Sequence, residues 1–378
     1  MEVTTIKGHF VNEIEQELSN VLLNKFNPDL AIVFCSVSQN INGLCKLFKK
    51  NDIELIGATT AGEIYNHTVL EKAIVALLIK LDRSSYEIAS FVNKDKDLRA
   101  LGEKASQNAN ERFTDPTIIV FSGGVRADGE ELVRGLTNNL SSENKIYGAL
   151  AGDDLNLAGT YVFTSQTTID NGIVCLYLDG SKIQAEGLAT SGWESIGTEK
   201  LITKSRGNVV FSIDHKPALD VFMDYFNKPK ERLVNSDMVV NELAQYPLQV
   251  KREENYSVLR APLIADTDKG ALIFSGTVEE GSKIKFSVPP GFETIESSTQ
   301  EILGLKDNFP KAEAVLVFSC KARHQALGPL VEEELEGIQN IWEVPLIGFF
   351  SYGEIGNLDG YVCDFHNETI SFVALKEL

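Results

Sequence analysis

The chain alternates short, continuous apolar runs with longer amphipathic stretches, and the alternation predicts strands and helices in turn. Runs at 30–35, 117–121 and 314–318 consist almost wholly of Ile, Val, Leu, Phe and Ala, the composition of strands covered on both faces. Each leads into a helical pattern, up to 49 and at 130–140 and 326–338, and then into a second short run at 53–57, 145–148 and 344–348. Before the first run, Phe10, Ile14, Leu18, Val21 and Leu22 recur at helical spacing. Further strands are expected at 73–80, 86–92, 173–178, 183–189, 271–274, 283–288 and 370–375 and near Tyr161 and Tyr361, with helices at 98–112 and 293–303. The order strand-strand-helix, then strand-helix-strand-strand-strand, occurs twice, beginning near Ala73 and near Ala271. This predicts an α/β (mixed α+β) fold: two related halves of mixed β-sheet flanked by helices, with internal duplication. Pro217 suits the first turn of a helix, so a second domain is expected to begin there, dividing 1–213 from 214–378. Residues 228–245 are charged and weakly periodic, and are expected to form a flap or linker.

One turn is written three times. Leu55-Ile56-Gly57-Ala58-Thr59-Thr60-Ala61-Gly62-Glu63-Ile64 and Leu346-Ile347-Gly348-Phe349-Phe350-Ser351-Tyr352-Gly353-Glu354-Ile355 share six of ten positions, and Ile146-Tyr147-Gly148-Ala149-Leu150-Ala151-Gly152-Asp153-Asp154 is a looser copy. Repeated units place such turns in related positions, where Glu63, Asp153, Asp154 and Glu354 can surround one ligand. Carboxylates at glycine turns accept bonds from an ammonium or guanidinium group, so the pattern points to a receptor for an amine-bearing molecule rather than to an enzyme. The alternative is that each carboxylate caps its own turn.

Composition narrows the partners. The net charge of −19 over 378 residues repels phosphate backbones and anionic lipid, so neither nucleic acid nor a membrane surface is expected. The longest wholly apolar stretch, 73–79, falls well short of the ~20 residues a spanning helix needs. Residues 1–20 mix Glu13, Glu15 and Glu17 with apolar positions and lack the core of a secretory signal. Five cysteines without a Cys-x-x-Cys pair fit a reducing cytoplasm better than a disulfide framework.

Two other segments carry candidate chemistry. In Cys320-Lys321-Ala322-Arg323-His324, a strand end meets a helix start, so Cys320 is a candidate nucleophile and Arg323 a candidate clamp for a ligand carboxylate. A clamp at Arg323 predicts that Arg323→Ala weakens binding without unfolding the chain. Ser122 to Glu131 joins a strand to a helix without matching a phosphate loop, and there Asp128 is expected as the helix N-cap with Glu131 three residues on. None of the five histidines, His9, His67, His215, His324 and His366, stands at metal-ligand spacing. Haem stays open because one axial histidine is enough.

These segments resemble the FIST family of sensory domains. The first part is similar to FIST N through Thr60-Ala61-Gly62-Glu63-Ile64 and Tyr147 to Asp154. The second is similar to FIST C through Asp214 to Leu219, Tyr246-Pro247-Leu248, Phe318 to Arg323 and Gly348 to Ile355. The resemblance implies a cytoplasmic sensory module for a small molecule, with amino acids as the family's proposed ligands and haem for a gas-sensing subset. It also implies a separate signalling partner such as a kinase or chemoreceptor. By the same resemblance Cys320, Arg323 and Glu354 are pocket candidates, with Tyr352 beside Glu354, then Asp153, Asp154 and Glu63. The rival readings are a haem-binding gas sensor, an enzyme using Cys320 as thiol nucleophile, and a scaffold without a ligand.

Overall fold

Every residue of the three apolar runs, at Leu30–Ser36, Pro116–Gly123 and Ala314–Cys320, is buried in a strand. A computed structural model describes residues 1–124, 127–140, 145–228, 243, 245–252, 256–288, 291–358 and 363–378. The strand expected near Tyr361, most of the 228–245 segment and the middle of the Ser122–Glu131 loop lie outside these residues. Among the described residues no helix is long and apolar enough to cross a membrane.

The chain builds one unit three times. Unit one comprises β1 (Glu2–Gly8), α1 (Val11–Leu23), β2 (Leu30–Ser36), α2 (Ile41–Lys50), β3 (Glu54–Thr60), the hairpin β4 (Glu63–Tyr65) and β5 (Thr68–Leu70), and β6 (Ile74–Lys80). Unit two repeats it as β7 (Tyr86–Val92), α3 (Leu98–Arg112), β8 (Pro116–Gly123), α4 (Gly129–Thr137), β9 (Ile146–Leu150), the hairpin β10 (Val162–Thr164) and β11 (Thr168–Ile169), and β12 (Gly172–Asp179). Unit three opens with β13 (Ile183–Thr190) and is then interrupted by an inserted sheet. The insertion holds β14 (Ser195–Arg206), β15 (Val209–Ile213), β16 (Lys216–Pro217), α5 (Ala218–Tyr225), β17 (Leu248–Lys251), β18 (Ser257–Arg260), β19 (Pro262–Asp266), β20 (Ala271–Phe274) and β21 (Lys283–Ser287). Unit three resumes with α6 (Phe292–Leu305), β22 (Ala314–Cys320), α7 (Lys321–Leu327), α8 (Leu330–Trp342), β23 (Leu346–Ser351), the hairpin β24 (Glu354–Asn357) and β25 (Cys363–His366), and β26 (Ile370–Glu377). The mixed sheets, helical flanks and internal repetition expected from the sequence are present, and the repetition extends to three units.

In each unit two central strands run parallel and the last returns antiparallel, giving β6-β2-β3, β12-β8-β9 and β26-β22-β23. The first strand of each unit adds to the edge of its own sheet. The hairpins do not stay at home. Unit one lends β4 to β23 of unit three, unit two lends β10 to β3 of unit one, and unit three lends β24 to β9 of unit two. The exchange closes a cycle, and β13, β4 and β24 all pair across residue 213.

The inner faces of the three sheets share one core. Phe34, Phe121 and Phe318 occupy the same place in β2, β8 and β22, and their ring centroids form a triangle of 5.3, 6.1 and 5.7 Å. Phe349 packs against them, 4.6 Å from Phe34. The edge-to-face angles are those that aromatic quadrupoles favour. Gly57, Gly148 and Gly348 recur for a steric reason: a methyl group on any of them would overlap the carbonyl oxygen of Val33, Val120 or Val317 on the parallel neighbour. Helices seal the outer faces, with Asn40, Asp97 and Asp128 capping α2, α3 and α4. The inserted sheet has a core of its own around Ile202, Phe222, Phe274 and Phe286.

Phe318→Ala empties one corner of the shared triangle. Urea unfolding is expected to show a loss of about 3–5 kcal/mol, and Gly348→Ala a loss of about 1–3 kcal/mol from overpacking. An unchanged midpoint in Phe318→Ala would contradict a common core.

Candidate functional site

Because the hairpins are exchanged, the three acidic turns meet at one end of the ring. They are tied by backbone bonds in a closed circuit. Gly152 N–H donates to the Thr59 carbonyl at 2.8 Å and Asp154 N–H to Thr60 at 3.0 Å. Ala61 and Gly62 exchange bonds with Phe350, both at 2.8 Å, and Leu150 N–H donates to Gly353 at 2.9 Å. The turns therefore touch one another directly instead of framing an open space.

Their carboxylates have separate tasks. Glu63 is buried, accepting from the Thr60 hydroxyl and the Ala73 amide, and burial, with the Asp154 charge nearby, pushes its pKa up to about 7. Glu354 sits alike between the hydroxyls of Ser351 and Thr369, and burial raises it to about 8. Asp154 accepts from Ser36 Oγ at 2.6 Å. Asp153 folds a loop around itself: its oxygens accept the amides of Leu157 at 3.0 Å, Ala158 at 2.7 Å and Gly159 at 3.0 Å, and the Tyr352 hydroxyl. That same hydroxyl accepts the Leu155 amide at 3.0 Å. These bonds hold Asp154, Leu155 and Leu157 at positive φ of 55°, 64° and 51°, a conformation that costs about 1–3 kcal/mol for each such residue.

Cys320 and Arg323 are placed otherwise than expected. Cys320 is buried, and desolvation, reinforced by Glu354, pushes its thiol well above the usual range, which removes the thiolate a nucleophile needs. Arg323 is fully buried, and its guanidinium pairs with the equally buried Glu334 through Nε at 3.1 Å and Nη2 at 2.5 Å. Its Nη1 bonds the carbonyls of Ser191 and Glu368, so four of its five N–H groups are held inside the protein and the buried fork facing Glu334 is closed to a ligand carboxylate. Gln39 makes the same stitch in unit one, to the carbonyls of His9 and Lys72; Arg126, the third position in register, lies outside the described residues. His324 stacks on Phe350 with centroids 4.1 Å apart, and His366 is buried with Nε2 3.0 Å from the Gly356 carbonyl. Among the described residues no three His, Cys, Asp or Glu side chains are grouped to hold a metal ion.

The open space lies in unit two, beside the loop that Asp153 shapes. A cleft of about 980 Å³ runs between Gly124, the N-termini of α3 and α4, the 157–161 loop and Asp170-Asn171. Asp95, Asp97, Asp128, Glu131 and Asp170 line it, with Lys96 the one cation among the described lining residues. Asp97 and Asp128 already cap their helices, which discourages an anion at either N-terminus. Of these residues, the sequence reading had singled out Asp128 and Glu131; Asp170-Asn171 carry a readable signal only once their register with Asn367-Glu368 is known.

Helix α4 faces the inserted sheet as well. Glu130, the neighbour of Asp128 and Glu131, is buried and pairs with Arg260 at 3.0 Å and Arg252 at 2.9 Å. Arg252 and Tyr256 also bond Asp364, at 3.3 and 2.7 Å. Burial lowers the Arg260 pKa against the pull of Glu130.

Such a chain is an α/β ring module with an inserted sheet joined to it by buried ion pairs. It belongs to the FIST family: the FIST N domain matches residues 29–216 and the FIST C domain residues 218–357. FIST domains are sensor domains of signal transduction. The chain is 22% identical over 258 residues to the uncharacterized protein Rv0628c of Mycobacterium tuberculosis, covering 65% of this chain and 63% of that one. It is also 22% identical over 226 residues to the uncharacterized protein Mb0898c of Mycobacterium bovis, covering 57% and 56%. In both cases the match spans less than two thirds of the relative's length.

Arg323→Ala, expected from the sequence to spare the fold, strips the buried Glu334 of its guanidinium partner and leaves it only the Ser298 hydroxyl at 2.6 Å. Unfolding measurements should show a loss of about 3–5 kcal/mol, whereas an undiminished midpoint would mean that Glu334 finds another partner.

A pH effect follows from Glu63 and Glu354. Both are raised, so the folded state keeps protons that the unfolded chain releases, and stability falls as pH climbs through about 7 and about 8. His324 and His366, held down to about 4 by burial, act in the opposite sense, but only below their ordinary 6.5. Between pH 6.5 and 8 the wild-type urea midpoint should therefore drop, and Glu354→Gln should flatten the slope. Equal slopes would place the titration elsewhere.

Proposed function

We propose that this protein is a cytoplasmic sensor whose unit-two cleft binds a small amine-bearing metabolite, an amino acid being the simplest, and reports it to a separate signalling protein such as a kinase or chemoreceptor. The observation that carries the reading is the double duty of α4. Asp128 and Glu131 at its start face the cleft, while Glu130 between them is locked to Arg252 and Arg260 of the inserted sheet. The carboxylate lining suits an ammonium group, and Lys96 stands ready for a carboxylate. A ligand that draws in the first turn of α4 moves Glu130 against its arginines, and the inserted sheet shifts with it. Couplings of this kind are worth ~1–3 kcal/mol, within reach of a rearranged buried ion pair.

The test is a thermal-shift and calorimetric screen of amino acids and primary amines. Asp128→Asn keeps a capping side chain and removes the charge, and should weaken binding about tenfold. Glu130→Gln should bind normally but lose the ligand-induced change in Trp193 emission, read in a Trp342→Phe background. Trp193 reports because its indole donates to Gln245 at the junction with the inserted sheet. A screen in which no amine or amino acid binds would overturn the reading.

A further inference from the structure

The unit-two cleft has a counterpart in unit three, and there it is closed. Ser122 and Ser319 are the next-to-last residues of the equivalent strands β8 and β22, and their antiparallel partners Ile173 and Ile370 fix the register. Counting back from these partners, Asp170-Asn171, which line the cleft, correspond to Asn367-Glu368. In unit three the inserted sheet lies over this place. Arg252 and Tyr256 bond Asp364, Arg260 reaches the Phe365 carbonyl at 3.2 Å, and Arg323 holds the Glu368 carbonyl at 3.1 Å. Asn367 and Glu368 are 1% and 0% exposed. Among the described residues, neither amide atom of Asn367 and neither carboxyl oxygen of Glu368 has a hydrogen-bond partner.

Four orphaned polar atoms on adjacent residues are costly. An unsatisfied buried group keeps its whole desolvation penalty, and folded proteins normally supply a partner or an ordered guest. Protonating Glu368 does not remove the cost, because the neutral carboxyl still lacks a partner for its proton. Arg323 does not serve: its four bonds go to the Glu334 carboxylate and to the Ser191 and Glu368 backbone carbonyls, and none reaches the Glu368 carboxyl. The other titratable groups that act on this cluster among the described residues are the Glu354 carboxyl and the Cys320 thiol. The cluster thus offers oxygen acceptors in excess and wants donors.

We propose that Asn367 and Glu368 form a second, enclosed binding site beneath the inserted sheet, which takes a small organic cation, a primary ammonium or guanidinium ion. Its counter-charge is Glu368, its second acceptor is Asn367 Oδ1, and Asn367 Nδ2 is free for an acceptor on the guest. Among the described residues no metal-ligating triad is present, which favours a hydrogen-bond donor over a bare metal ion. Burial keeps Glu368 protonated well above the ordinary carboxylate range, with Glu354 adding to the shift and Arg323 opposing it. The cation therefore displaces a proton as it binds, and affinity rises with pH.

The probes are methylammonium chloride and guanidinium chloride at millimolar concentration, added to the full chain at pH 8 with sodium chloride of equal ionic strength as the blank. At least one should raise Tm above the blank. Calorimetry in buffers of different ionisation enthalpy should show about one proton released per cation. Glu368→Gln should abolish both signals while Asp128→Asn retains them, which separates this site from the unit-two cleft. Without probe, Glu368→Gln should melt no lower than wild type, because the carboxyl has no protein partner to lose. An equal shift in Glu368→Gln, no shift in wild type, or a high-resolution map with water alone on Glu368 in the presence of probe would each overturn the proposal.

Discussion

The cyclic exchange of hairpins is the constraint on which the rest of the molecule depends. A six-stranded sheet in any one unit is completed by a hairpin from another, so no unit can pair its strands fully alone. The exchange draws the inner faces of all three sheets onto a common axis, where Phe34, Phe121 and Phe318 meet. It also forces the turns preceding the hairpins into mutual contact. A peptide group in such a place has no water to bond, and the three turns satisfy one another instead.

That interlock decides what each carboxylate can do. In units one and three the position carries Glu63 and Glu354, which reach back to a hydroxyl three residues earlier and are sealed from solvent. In unit two the acidic side chains are a methylene shorter and the chain runs on through 153–161 before its hairpin starts. Asp153 gathers the extra loop around its oxygens and Tyr352 of unit three fastens it. The same turn, lengthened in one copy, becomes the wall of a cleft. Selection acting on one repeat can thus open a site without disturbing the other two.

The parts of this architecture that follow a local pattern were legible in the sequence. The parallel strand pairs, the crossing helices and the Asp128 cap came from apolar runs and capping chemistry, and the resemblance named the family. The hairpin β4–β5 and the strand β11 were invisible because two or three residues per strand carry no periodicity, whereas the strand expected near Tyr161 is present as β10. β14 was missed because, across its twelve residues, Ile202 alone is buried. The helix expected at 326–338 begins earlier and breaks at Gly328-Pro329, where φ of +58° at the glycine ends one helix and the proline starts the next. Arg323 misled for a different reason. A buried guanidinium and a ligand-facing one look alike in sequence, and the partner that settles the matter, Glu334, lies on another helix.

The inserted sheet explains why three equivalent places have three fates. In unit one, Gln39 stitches the edge carbonyls together and the neighbouring Lys72 is exposed, so no polar group is stranded. In unit two the place is open to water, which satisfies Asp170 and leaves room for a guest. In unit three the insertion brings Arg252, Tyr256 and Arg260 down over the 364–368 turn and shuts water out. A cover that excludes water raises the cost of every unpaired group beneath it and strengthens every ion pair at its rim. The same contact that buries Asn367 and Glu368 also buries Glu130, at the start of the helix that borders the open cleft. Events at either place act on one set of arginines, so anything that loosens the insertion from one is bound to be felt at the other.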